Sequence, residues 1–203
     1  MNSGATAERV YDALRQRIMS HAFRPGDRLD PAALAETLSS SVTPVRDALH
    51  LLTGEGLVIT RTGDGFHLPA IDEPGLVDLY DWTAEVLGLA LGAWPKGGTQ
   101  LRSPAPADEH GDVAARTAKL FCQIASRSAN VEHQQAIASL NARLHAVRTV
   151  EPHVLDGSGD ELDAIEAGLI AGVARELRRL VVAYHRRRRR HAAEIVRAVY
   201  RVS

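Results

Sequence analysis

The sequence predicts a mainly α-helical chain built in two parts, and three observations carry that prediction. Apolar residues recur at three- and four-residue spacing over most of the 203 residues, the pattern of one buried helix face. Proline-bearing helix starts follow one another at short intervals before residue 50, so the first helices are short. Strand character is confined to Leu57-Val58-Ile59-Thr60 and Phe66-His67-Leu68, separated by the turn Arg61-Thr62-Gly63-Asp64-Gly65.

In chain order, Val10, Leu14 and Ile18 place a helix over 7–20, ended by Phe23-Arg24-Pro25-Gly26-Asp27. Asp30 can cap a second helix with Pro31 in its first position, and Leu34 and Leu38 follow. Ser39-Ser40-Ser41 breaks it. Thr43-Pro44 repeats the cap-plus-proline signal and opens a third helix with Val45, Ala48, Leu49 and Leu52 on its apolar face. Helix, short helix, turn, helix and hairpin within residues 1–70 is the order of a winged helix-turn-helix. Residues 71–75 read as a linker. Residues 76–203 read as an all-α helical bundle, with helices marked by Leu76 to Trp94, Val113 to Ile124, Ile137 to Val147, and a last stretch from Glu161 to Val199 broken near Gly168 or Gly172. Residues 95–112 are rich in Pro, Gly and Asp and read as loop.

Composition narrows the function classes. With 45% hydrophobic and 24% charged residues, the chain can bury a core and is not a disordered segment. Twenty-four basic and 25 acidic residues leave a net charge of -1, which excludes a chain-wide basic field but not a local basic face. A lone cysteine, Cys122, excludes an internal disulfide. No apolar run reaches the ~20 residues of a membrane span, and the N-terminus lacks a signal-peptide pattern. A cytoplasmic protein with no membrane partner is the expectation.

The run Pro25-Gly26-Asp27-Arg28-Leu29, Leu34-Ala35, Thr43-Pro44-Val45-Arg46-Asp47-Ala48-Leu49, Leu52 and Glu55-Gly56-Leu57-Val58 resembles the DNA-binding domain of the GntR family of transcriptional regulators. The helical remainder, through Leu79-Tyr80, Glu85, Phe121, Asn130, Ala164-Ile165 and Gly172, resembles the FCD-type effector domain of the family's FadR-type branch. The resemblance implies a homodimeric transcription factor, here a repressor, that binds a pseudo-palindromic operator and is retuned by a small molecule.

The residues themselves point to double-stranded DNA. Thr43, Arg46 and His50 share the helix face opposite Val45, Leu49 and Leu52, so the third helix would present them to the major groove. Arg46 can reach a phosphate or guanine O6 and N7. Arg61, Thr62 and Gly63 form a wing tip whose glycine lets backbone approach the minor groove. The resemblance implies an Arg where this chain has Val42, and another where it has Ala32; Val42 would instead contact a thymine methyl. Residues 1–69 hold seven Arg, no Lys and eight acids, so few phosphates would be neutralised and the salt dependence would be shallow.

The second domain departs further. The resemblance implies one Asp and three His around a divalent metal, at positions occupied here by Ala118, Cys122, Leu162 and Tyr184 or His185, and an effector-facing Arg where Thr83 stands. No metal and no cofactor are therefore expected, and Thr83, Cys122, Tyr184 and His185 become the candidate effector pocket, for an uncharged or bulkier ligand or none. Arg186 to Arg190 surround a full helical turn, which reads as a solvated turn or as an anion, DNA or acidic-partner site. No nucleophile–base set, phosphate loop or carboxylate pair stands out, so no enzyme is expected. The alternative to a DNA-binding regulator is an interaction protein that keeps the fold and pairs with another regulator.

Overall fold

The computed structural model describes residues 3–20, 22–95 and 112–202. They form two compact units that divide between Ile71 and Asp72. The fold is mainly helical, with a winged helix-turn-helix at the N-terminal end and a helical domain after it. Most of the stretch read as loop, residues 96–111, lies outside the described residues.

In the first unit, α1 (Ser3–Met19) packs on α3 (Val42–Gly54), and α2 (Pro31–Thr37) packs on α3 as well. Val10 and Leu14 of α1 and Val45, Leu49 and Leu52 of α3 are fully buried, each by about 1.5–3 kcal/mol of apolar transfer. Tyr11 hydrogen-bonds to Glu55, and Arg15 lies 3.6 Å from the same carboxylate. Asp30 caps α2 through the Ala32 and Ala33 amides, as its sequence position requires.

Two local expectations are corrected. Helix α3 starts at Val42, with Ser41 as its N-cap residue, so Thr43 is not the cap. Pro44 then sits third in the helix, still within the first turn, where backbone N–H groups have no intrahelical acceptor to lose. The sheet has three strands, not two: β1 (Arg28–Leu29) pairs with β3 (Gly65–His67), which pairs with β2 (Ile59–Arg61), all antiparallel. Leu57 and Val58 precede β2 as buried residues outside the ladder. A two-residue strand carries too little periodicity to be read from sequence, but Leu29 pairs with Phe66 and is buried there.

In the second unit, α4 (Glu73–Gly92) packs on α6 (Val131–Val150) and α8 (Ala174–Arg190). Helix α5 (Val113–Ser126) packs on α6 and α7 (Ser158–Ala171), and α9 (Ala192–Val202) on α4 and α6. Leu87, Phe121, Ile124, Ile137, Leu162, Leu177 and Val181 are at the centre of one apolar core. The last helical stretch breaks at Gly172, whose φ of 69° is left-handed, and again at His191, a second break the sequence reading did not contain. The first break falls where glycine alone adopts that conformation at little cost.

A buried charge cluster joins this bundle. Glu151 opens a short 3-10 turn (Glu151–His153) at the end of α6 and is 0% exposed. Tyr80 Oη of α4 donates to it at 2.8 Å, Tyr184 Oη of α8 at 3.4 Å and Arg188 Nε of α8 at 2.7 Å. Arg188, also 0% exposed, donates through Nη1 to Glu161 of α7 at 2.9 Å and lies with its guanidinium over the Tyr184 ring. Burial and then the Glu151 charge push the Tyr184 hydroxyl up to about 12 and hold Tyr80 well above its ordinary value. The arginine turn is therefore not uniformly solvated: Arg188 is interior, Arg187 is 3.3 Å from Glu161, and Arg189 is 3.0 Å from Asp81, while Arg186 and Arg190 are exposed.

Removing one member of a buried pair leaves the other charged and unpaired. Arg188→Met is expected to cost about 3–5 kcal/mol in urea unfolding. Adding Glu151→Gln to it should recover part of that loss, because the two side chains compensate each other. Additive losses would show that they do not act as a pair.

Candidate nucleic-acid interface

The outer face of α3 is built by its own periodicity. With Val45, Ala48, Leu49 and Leu52 facing the core, Val42, Thr43, Arg46, Asp47, His50 and Leu51 are left exposed. Thr43, Arg46 and His50 thus lie on one exposed face, and Val42 joins them at the helix N-terminus, where backbone amides are free of intrahelical acceptors. The N-cap carboxylate of α2, Asp30, is close enough for Arg46 to help hold it below its ordinary value, after the Ala33 and Ala32 amides.

The wing is attached to α3 and braced internally. The His50 ring meets the Phe66 ring edge-on, with centroids 4.9 Å apart. Arg61, Thr62 and Gly63 are exposed at the turn, and Gly63 and Gly65 have φ of 76° and 81°. Nothing lies within 4 Å of a Cβ built on either, so glycine is required by backbone conformation and not by crowding. Asp64 lies 3.1 Å from Nε2 of the buried His67 and 4.0 Å from Arg28. These contacts fix the turn below its tip. Asp64 and His67 were not singled out in the sequence, where they read as turn and strand residues.

The four effector candidates do not converge on one point. Thr83 is fully buried and its hydroxyl donates to Leu79 O of its own helix at 2.7 Å. Cys122 Sγ receives a hydrogen bond from Asn141 Nδ2 at 3.3 Å. Tyr184 and His185 are buried together, their rings 5.0 Å apart and each against Phe121. At the positions where the resemblance implies a metal, Ala118 and Leu162 offer no donor, Tyr184 is engaged with Glu151, and His185 has one free ring nitrogen. That set does not fit a metal, and no group of three or more His, Cys, Asp or Glu with metal-holding geometry occurs among the described residues.

Two residues beside this cluster, Asn141 and Arg148, were not identified as candidates from sequence. Asn141 Oδ1 accepts from Arg148 Nη1 at 2.7 Å, and the Arg148 guanidinium lies 5.1 Å from the Phe121 ring centroid. Arg148 is 1% exposed, and its Nε and Nη2 have no hydrogen-bond partner in the protein. His185 donates from Nδ1 to Val181 O at 2.8 Å, which leaves Nε2 as an unpartnered acceptor. Burial is the main cause, with Arg148 and Arg188 adding to it against the Val181 bond, that brings His185 down to about 3.

The unfolded chain takes a proton on this histidine near 6.5, whereas the folded chain resists it down to about 3. Stability from this group is therefore complete above about pH 6.5 and is lost as pH falls toward 3, by at most about 1.4 kcal/mol per unit. Urea unfolding from pH 4 to 7 should show a shallower acid limb for His185→Phe than for the parent chain. Parallel limbs would show that His185 is not held neutral.

Residues 6–68 match the sequence model of "Bacterial regulatory proteins, gntR family". Over 66 residues the chain is 41% identical to the Nta operon transcriptional regulator of Aminobacter aminovorans, covering 32% of this chain and 31% of that one. Over 73 residues it is 37% identical to the Uxu operon transcriptional regulator of Escherichia coli, covering 34% and 28%. These matches span about a third of each protein. Structural likeness is wider: a Rhodococcus sp. RHA1 transcriptional regulator GntR superposes with a TM-score of 0.61 over 93% of this chain and 97% of its own, at 21% identity. E. coli McbR/YncC does so with a TM-score of 0.60 over the same shares, at 17% identity. At those identities the superpositions show a shared fold alone. Residues 6–68 of this chain are a winged helix-turn-helix of the gntR family of bacterial regulatory proteins.

Proposed function

We propose that this chain is a transcriptional regulator of the FadR-type branch, a repressor that binds a pseudo-palindromic operator as a homodimer. The observation that carries the reading is the exposed face of α3, with Thr43, Arg46 and His50 on one side of a helix that lies within a gntR-family domain. In the proposed complex, α3 enters the major groove with its first turn toward the bases. Arg46 forks to a guanine or a phosphate, Thr43 and Val42 meet backbone or a thymine methyl, and His50 works from beside the wing. Arg61, Thr62 and Gly63 approach the minor groove. Two half-sites require two copies. A DNA target places the protein in the cytoplasm, and no helix among the described residues is long and apolar enough to cross a membrane.

The bundle would hear its effector without a metal. The unpartnered nitrogens of Arg148 lie in the interior near Tyr184 and His185, so the proposed effector carries acceptor oxygens. Thr83 and Cys122 would contribute shape, since the Thr83 hydroxyl and the Cys122 sulfur already have partners.

The test is selection of bound duplexes from fragments of the source genome, followed by anisotropy on the recovered sequence. Arg46→Ala should weaken binding to that sequence by ~1–3 kcal/mol and relax preference at one base pair per half-site. Equal affinity for recovered and scrambled duplexes would overturn the proposal.

A further inference from the structure

We propose that the outer face shared by α4 and α8 is where two copies of this chain pair, with α4 of each lying over α8 of its partner. The inference rests on the homodimer reading above and adds the surface and its register. The two helices run antiparallel side by side: Arg189 pairs with Asp81 at 3.0 Å, and a Cβ on Gly88 would stand 3.6 Å from Arg178 Nη2. Higher numbers on α4 thus meet lower numbers on α8.

Beside this seam, each helix presents one stripe. At 100° per residue, Asp78, Trp82, Glu85 and Leu89 of α4 fall within about 60° of arc. Arg178, Val182, Arg186 and Arg189 of α8 fall within about 80°. Trp82, Leu89 and Val182 are 53%, 55% and 48% exposed and form the apolar part of the two stripes. A tryptophan there is the residue type that contributes most when an interface excludes water around it.

The charges say what covers the face. The α4 stripe is acidic at Asp78 and Glu85, and the α8 stripe is basic at Arg178 and Arg186. Laying α4 on a second α4 would oppose like charges. A two-fold axis running along the seam instead sets each acidic stripe on the partner's basic stripe, twice over, and brings the apolar centres together. Seventeen residues of α8 give about 25 Å of length and two helices about 20 Å of width, a footprint on the order of 500 Å² per copy. Doubled, that meets the ~1,000 Å² a specific interface requires.

The test uses the full chain in sedimentation velocity. One variant reverses the acidic stripe, Asp78→Arg with Glu85→Arg; the other reverses the basic stripe, Arg178→Glu with Arg186→Glu. Each alone should sediment as a monomer at concentrations where the parent is a dimer. Mixed in equal amounts, they should form a one-to-one dimer, because both contacts are again complementary. If both variants stay dimeric, the pairing surface is elsewhere and only this inference falls. If the folded variants are monomers that do not recombine, it falls as well. A parent chain that is monomeric throughout would overturn the homodimer reading too. Leu89→Arg, a change at an exposed position, should weaken the dimer at least tenfold even where a stripe variant fails to fold.

Discussion

Glu151 has no contact with water and accepts hydrogen bonds from two tyrosines and an arginine drawn from α4 and α8. A carboxylate in that position is tolerable only if all its partners arrive together, since burying it alone would be very costly. The surrounding helices are thereby fixed in rotation: Tyr80 must face inward on α4, and Tyr184 and Arg188, one turn apart on α8, must do the same. Arg188 extends the link to Glu161 on α7. The apolar core supplies most of the favourable free energy, but this cluster selects one arrangement among those that bury similar area.

The same interior bears on how the bundle could sense a ligand. Arg188 is compensated by two carboxylates, and Arg148 by none, only by an amide oxygen and an aromatic face. His185, held neutral beside both, cannot share the charge. A guanidinium left with unpaired donors in a dry interior is a standing preference for an acceptor group. A ligand bringing one would bind to α6 and α8 at once, the helices whose ends the Glu151 cluster holds.

Much of this was legible in the sequence, and the remainder has physical reasons. The helices, the capped start at Asp30 and the hairpin follow from periodicity and turn chemistry; the break expected near Gly168 or Gly172 falls at Gly172, which the structure places in the left-handed region. The start of α3 was misread by two residues because proline is tolerated throughout a first turn. The buried cluster was hidden by treating Arg186 to Arg190 as a run. Taken singly, Arg188 continues the stripe Leu177, Val181, Tyr184, while Asn141, Arg148 and Glu151 continue Ile137, Leu140, Leu144 and Val147. Polar residues in register with an apolar stripe are the signal, and their complementary signs on α6 and α8 identify the pair. The shared exposed face of Thr43, Arg46 and His50 was legible because exposed positions between buried ones are a local property of one helix. The effector candidates were placed by likeness to a metal site whose donors are replaced at the matching positions by residues such as Ala118 and Leu162, and Thr83 is satisfied within its own helix.

In the proposed complex the first unit reads DNA through few charged contacts, Arg46 on α3 and Arg61 on the wing, and acids nearly balance the basic residues of the unit. The slope of log affinity against log salt tests it most directly, because each neutralised phosphate contributes about 0.9 to that slope on duplex DNA. For the parent chain on its selected duplex, sequence-dependent binding is expected with a slope corresponding to roughly four phosphates per dimer, two from each copy. A slope corresponding to about ten, or one equally steep on scrambled DNA, would contradict it by showing that non-specific charge does the binding.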